Sequence, residues 1–155
     1  AVMKNLRLVI STIVLTAASL IIASSQQGTG ACLAKYRNDT QVKINSQLIK
    51  TEVTQTKQER QTGLGGRGCI AADQGMLFEF EKPGRISFWM KDMRFPIDIV
   101  WIGPDQKVVH METNVQPESY PKTYANEKKP AQYVLELQAS QTEALGIRSG
   151  TPVNF

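Results

Sequence analysis

Gly75-Met76-Leu77-Phe78-Glu79-Phe80, Ile86-Ser87-Phe88-Trp89-Met90-Lys91, Ile97-Asp98-Ile99-Val100-Trp101-Ile102 and Lys107-Val108-Val109-His110-Met111-Glu112-Thr113 are four short runs rich in β-branched and aromatic side chains. Pro83-Gly84, Arg94-Phe95-Pro96 and Gly103-Pro104-Asp105 separate them. Short runs at this spacing, cut by residues that turn the chain, predict antiparallel strands rather than strands alternating with long helices. The fold class is therefore all-β, mainly an antiparallel sandwich or a barrel-like sheet.

The flanks extend this pattern. Val42 and Ile44, then Leu48 and Ile49, bracket Asn45-Ser46 as a hairpin would, although the turn carries no glycine. Thr56-Lys57-Gln58-Glu59 is a capping box, a hydroxyl and a carboxylate each satisfying a backbone donor at a helix start. Gly63, Gly65, Gly66 and Gly68 stop that helix early. Residues 114–130 are polar, carry three prolines and read as a surface loop. Beyond it Tyr133–Leu137 reads as a central strand, Ser140-Gln141-Thr142-Glu143 repeats the capping box for a second short helix, and Val153–Phe155 suggests a final strand.

At the amino end Lys4 and Arg7 precede a nearly unbroken apolar run from Leu8 to Ile22, and Ala23-Ser24-Ser25 follows with small side chains. A positive start, a short apolar run and small residues are what an export signal requires. Residues 1–25 are expected to be a signal peptide, 26–40 a polar leader and 41–155 one β-rich domain. The location implied is periplasmic or extracellular, with a membrane tether if the signal is retained. Cys32 and Cys69 are the two cysteines, and in an oxidising compartment they are open to two readings, a disulfide or a pair of free thiols.

A chain of 155 residues suits one hydrophobic core. The net charge of +4 loses Lys4 and Arg7 with the signal, and no basic stripe interleaved with aromatics appears, so nucleic acid is not an expected partner. No Gly-x-Ser-x-Gly motif occurs, His110 has no evident nucleophilic partner, and no cofactor-binding loop is present, so no cofactor is expected.

Gly63-Leu64, Arg67, Asp73-Gln74-Gly75-Met76-Leu77-Phe78, Phe88-Trp89-Met90-Lys91, Pro96-Ile97-Asp98, Tyr133-Val134-Leu135-Glu136-Leu137, Leu145-Gly146-Ile147 and Gly150 follow one another in an order and spacing that resembles the family called domain of unknown function 192. The resemblance implies a small β-rich sandwich or barrel, often exported in bacterial members, with no established activity. The sequence departs from the family pattern at Gly65, where Met is usual, at Asp92, where Asn is common, and at Thr151, where Asp commonly follows the glycine.

Strand alternation puts Phe88 and Met90 on one face and Trp89 and Lys91 on the other. An aromatic surface beside a cation, joined by Arg67, Asp98 and Glu136 if neighbouring strands align, is how sites for small polar ligands, glycans or peptides are built. The plainer alternative is that Trp89 packs in a sandwich while Lys91 and Asp98 form a rim ion pair. Two chemical readings compete with binding. Asp98 and Glu136 are the carboxylates to pair for hydrolysis. Met76, Met90, Met93, Met111 and His110 offer soft ligands for copper, although their odd spacings point neighbours to opposite faces.

The export reading yields a direct test: intact-mass measurement of the native protein is expected to find a chain starting after Ser25, and an intact amino terminus on cytosolic material would refute it.

Overall fold

The computed structural model describes Cys32 and residues 34–155; the expected signal peptide and residues 26–31 and 33 of the leader lie outside the described residues. β1 (Thr40–Ile44) and β2 (Gln47–Val53) form the hairpin, joined by the turn at Asn45-Ser46. Asn45 takes the left-handed conformation that a glycine would otherwise supply, with φ of 53°, and its amide donates to the Leu145 carbonyl at 2.7 Å.

From β2 the chain makes an excursion through α1 (Lys57–Thr62) before returning as β3 (Gln74–Gly84). That excursion allows β2 and β3 to pair in parallel, Glu52 beside Met76 and Val53 beside Leu77, because parallel neighbours need a long crossover. This pair departs from the otherwise antiparallel expectation. β4 (Ser87–Trp89), β5 (Ile97–Ile102), β6 (Val108–Val115), β7 (Thr123–Ala125), β8 (Ala131–Gln138), α2 (Gln141–Ala144) and β9 (Val153–Asn154) follow.

The main sheet runs β6-β5-β8-β3-β2-β1-β9, and β4 pairs with β7 in a separate ribbon. The two ends of the main sheet meet: Val108 N–H donates to Thr151 O at 3.0 Å, and Val153 N–H to Gln106 O at 2.8 Å. The sheet is thereby curled into a barrel-like closure, and the all-β fold with two short helices holds.

Two cores result. Val42, Ile44, Leu77, Val100, Ile102, Leu135, Leu137 and Val153 fill the inside of the curl. Leu64, Met76, Phe78, Met90, Ile97, Ile99, Trp101 and Val134 form a second core on the outer face of β3, β8 and β5. All six residues of β5 are buried, which is why Ile97–Ile102 is apolar on both faces apart from Asp98 rather than alternating.

The outer core is roofed by α1, the loop after it and the β4–β7 ribbon. Trp101 Nε1 donates to Ile86 O at 2.8 Å, while Asn126 accepts from Ile86 N at 2.8 Å and donates to Gly84 O at 2.9 Å. Residues 114–130 are thus more than a surface loop: they contain a 3-10 turn at Pro117–Ser119, the strand β7 and the buried tether Asn126. Polar composition hid this, because Asn126 spends its polarity on backbone groups inside the fold.

The amino-proximal segment is also tied in. Tyr36 Oη accepts from the Glu52 and Gly75 amides at 3.1 and 3.0 Å, bridging the parallel pair, and burial leads in pushing its phenol up to about 12. The Arg37 amide donates to Glu52 Oε1, and its guanidinium reaches Glu59 on α1 at 2.7 Å. Cys32 and Cys69 are joined by a disulfide that closes this segment onto the loop after α1.

The capping box at Thr56 forms as its residues require, Glu59 N–H donating to Thr56 Oγ1 and the Thr56 amide donating to Glu59 Oε2, both at 3.1 Å. The second box does not form. Ser140 lies in the left-handed region with φ of 70° and caps nothing with its side chain; Asp98 replaces it. The fully buried Asp98 accepts from Asn114 N (2.8 Å), Ser140 N (3.1 Å), Thr142 N (2.8 Å) and Thr142 Oγ1 (2.6 Å).

Asp98→Ala strips the partner from four donors and is expected to cost about 3 kcal/mol or more in denaturant unfolding, whereas Thr142→Val, which removes one, is expected to cost roughly 1 kcal/mol.

Candidate functional site

Glu52, Met76, Glu136 and Ile99 stand side by side in one row across β2, β3, β8 and β5. Their neighbours one residue along face the inside of the curl, so this row faces the outer core. Two acids therefore lie under the roof, one strand apart on either side of Met76, and their surroundings treat them differently.

Glu52 is fully engaged. Arg67 grips it with two parallel bonds of 2.8 and 2.7 Å, and the Arg37 amide adds a third of 2.8 Å. Burial works to raise its carboxyl, but these donors outweigh it and hold the group below its ordinary value.

Glu136 has no such grip. It is 4 % exposed, and its Oε2 has no hydrogen-bond partner among the described residues. Burial pushes its carboxyl up to about 8, against the opposing pull of the Arg67 charge and the Leu64 amide. The group is therefore a neutral acid at neutral pH.

Glu136 lies on the floor of a cavity of about 490 Å³ between α1 and β4. Leu64, Phe78, Ile86 and Phe88 give the floor and walls an apolar lining, and Trp89 stands at the mouth, 47 % exposed. Phe88 turns inward and meets Phe78 edge to face at 4.8 Å, so the outward direction falls to Trp89, as alternation requires. Lys57, Arg60, Lys82, Arg85 and Lys91 surround the opening. Arg85 is paired with Glu127 at 2.7 Å, whereas Lys57, Arg60, Lys82 and Lys91 make no ion pair among the described residues. A second depression of about 830 Å³ continues past Trp89 and Lys91 toward Asp92 and Arg94.

Gly63 creates the space beside the acid. It ends α1 with φ of 51°, donating its amide to Glu59 O at 2.8 Å, and a Cβ there would lie 3.6 Å from Glu136 Oε2 and 3.4 Å from Phe78 Cζ. A side chain would stand directly over the unpartnered oxygen.

Of the five residues expected to share a recognition surface, Trp89, Lys91 and Glu136 line this one cavity. Arg67 is committed to Glu52 and touches the site only through its field on Glu136. Asp98 sits beside Leu137 and caps α2 from the inner face, so neither the pairing of Asp98 with Glu136 for hydrolysis nor the rim pair of Asp98 with Lys91 exists. The copper set is dispersed as well. Met76, Met90 and Met93 pack in the outer core, Met111 packs in the inner one, and His110 bonds Glu112 at 3.1 Å. No metal-sized group of three His, Cys, Asp or Glu side chains occurs among the described residues.

Sequence reading missed Gly63, Glu52 and the cations of α1. Lys57 and Arg60 were legible, since a three-residue step on a helix places side chains on one face. The family departures have local reasons. A Cβ on Gly65 would lie 2.8 Å from the Thr62 carbonyl, which leaves no room for Met in this loop. Asp92 adopts the left-handed φ of 59° that Asn also tolerates, and Thr151 Oγ1 accepts the Arg148 amide at 3.0 Å, a bond that Asp can also make.

The family model of DUF192, described as "Uncharacterized ACR", matches residues 40–155. Among curated proteins no relative matches. The chain is similar to a crystal structure of a protein of unknown function from Novosphingobium aromaticivorans DSM 12444, with a TM-score of 0.69 and 26% identity over 74% of this chain and 84% of that one. It is also similar to a crystal structure of a "putative transcription regulator" from Sinorhizobium meliloti 1021, with a TM-score of 0.63 and 28% identity over 74% and 89% of the two chains.

The raised carboxyl of Glu136 fixes a sign for stability. The folded state keeps a proton that the unfolded chain releases above its ordinary value of 4.5, so stability is full below that pH and falls until about 8. Glu136→Gln removes the titration, and thermal unfolding is expected to show it gaining roughly 3 kcal/mol on wild type between pH 4.5 and 7.

Proposed function

Because the chain belongs to DUF192, an uncharacterised family, its function has to be argued from its own cavity, and we propose that it is a binding protein for a small organic ligand held between α1 and β4. The observation that carries this reading is a buried carboxyl with one unpartnered oxygen on the floor of an apolar cavity whose mouth is an exposed tryptophan. A buried polar atom without a partner costs free energy in the empty protein, and a ligand that supplies the partner recovers it.

Binding is favoured over hydrolysis by the state of the acids. Hydrolysis by a pair of carboxyl groups needs a second carboxylate with a free lone pair near the first. Glu52 spends both oxygens on Arg67 and the Arg37 amide, and Asp98 faces the other side of the sheet. The regulator named for the Sinorhizobium structure suggests nucleic acid, but a phosphate backbone is tracked by a basic stripe, and the cations named above gather round one cavity mouth.

The protein works outside the cytoplasm on this proposal. The apolar run of Leu8–Ile22 supports that address, and so does the Cys32–Cys69 disulfide, since such bonds persist in oxidising compartments.

Amide chemical-shift mapping against polar metabolites, glycans and short peptides tests the binding reading. Shifts are expected to cluster at Leu64, Ser87, Trp89 and Lys91, and Trp89→Ala to weaken the bound compound about tenfold through loss of aromatic contact. Shifts that map away from this cavity, or none across the panel, would refute it.

A further inference from the structure

Building on the cavity reading, we infer that the ligand is an organic anion with an apolar body and, at the end opposite its charge, an oxygen that accepts a hydrogen bond from Glu136. The cavity has a polarity from mouth to floor that selects such a molecule. At the mouth Lys57, Arg60, Lys82 and Lys91 have no carboxylate partner among the described residues, and Glu136 is the single acid in the lining. Four uncommitted cations around an opening raise the local concentration of anions and hold a charged group there. Between mouth and floor the lining is Leu64, Phe78, Ile86 and Phe88, which solvates an apolar body and nothing ionic.

On the floor the demand is for an acceptor. A cation is disfavoured there, because it would have to pass the cationic mouth and because the Arg67 charge already acts on Glu136. A second carboxylate would be desolvated against apolar walls. A carbonyl, ether or ester oxygen meets both conditions: it is neutral, and it gives the acid's O–H the partner that the protein does not. Gly63 keeps this flank of the acid free of side-chain atoms, since a Cβ there would lie 3.6 Å from Oε2.

The proton belongs to the site. The charged groups that share the cavity with Glu136 are Lys57 and Arg60 from α1, Lys82 near the end of β3, Arg85 after it and Lys91 beyond β4, with the Arg67 charge acting from the loop after α1; the row neighbours of the acid on β3 and β5, Met76 and Ile99, do not titrate. Glu52, on the far side of Met76, is held ionised by Arg67. Loss of the Glu136 proton removes the donor and places a second negative charge against the acceptor oxygen of the ligand. Binding is therefore strongest where the anionic group of the ligand is ionised and Glu136 still holds its proton, and it falls once Glu136 ionises, above about 8 in the free protein.

Three matched probes separate these elements: 4-acetylbenzoate carries both charge and acceptor, 4-ethylbenzoate lacks the acceptor, and 4-acetylbenzamide lacks the charge. Amide chemical shifts of the full exported chain at pH 6 are expected to show 4-acetylbenzoate binding about tenfold more tightly than either control. Its affinity is expected to fall about tenfold per pH unit above the Glu136 value. Glu136→Gln, which keeps an N–H donor and cannot titrate, is expected to bind 4-acetylbenzoate with no such fall, and Glu136→Leu to lose the preference for the acetyl over the ethyl compound while retaining the preference for charge. Lys91→Ala with Arg60→Ala is expected to do the reverse. Equal binding of the acetyl and ethyl probes, equal binding of the acid and amide, or a pH slope that survives in Glu136→Gln would overturn the inference while leaving a cavity that binds ligands. No shift at Leu64, Ser87, Trp89 or Lys91 with any probe would overturn the cavity reading as well.

Discussion

The central strands β3, β8 and β5 are apolar on both faces, and the rest of the molecule is arranged to cover the second face. Met76, Phe78, Val134, Ile99 and Trp101 cannot be left in water once their neighbours have filled the inside of the curl. The cover comes from two unrelated sources, the α1 excursion that a parallel β2–β3 pair demands and the β4–β7 ribbon tethered by Trp101 and Asn126. A roof of two parts has a seam, and the cavity is that seam. Glu136 lies beneath it because its row of the sheet passes under the gap.

The same row shows how position decides chemistry. Glu52 and Glu136 are equally acidic side chains on strands that flank β3, both nearly excluded from solvent. One meets the fork of Arg67 and stays an anion, and the other meets Phe78 and Gly63 and keeps its proton. Arg67 thus divides two identical groups into a fixed structural ion and an unspent donor.

The strands were legible because their lengths and separators are local features: Ile97–Ile102 is a strand over the residues its composition marks. So was the separation of Phe88 and Trp89 onto opposite faces, since alternation follows from backbone geometry alone, although which of the two faces outward was not. Contacts between distant segments were not legible. Nothing in Ser140-Gln141-Thr142-Glu143 says that a carboxylate 42 residues earlier in the chain will take over the cap, yet Asp98 does so and thereby leaves the recognition surface to which its sequence context had assigned it. Arg67 was likewise a cation in a glycine-rich loop until a parallel register put Glu52 opposite. The polar loop of residues 114–130 concealed a strand because β7 has three residues and a partner, β4, of three.

The closure of the sheet by β9 bears on how the molecule assembles. β1 lies between β2 and β9, and the chain around β9 also binds the approach to β6 through Gln106 and Val108, so the barrel closes only when β9 has paired with β1, more than a hundred residues before it in the chain. A polypeptide emerging amino end first presents its opening hairpin long before the strand that completes it exists. The outer edge of β1 stays unpaired until nearly everything has been delivered, and non-local closure of this kind is slow in any case. The step that locks the sheet shut therefore waits for the far end of the chain to arrive.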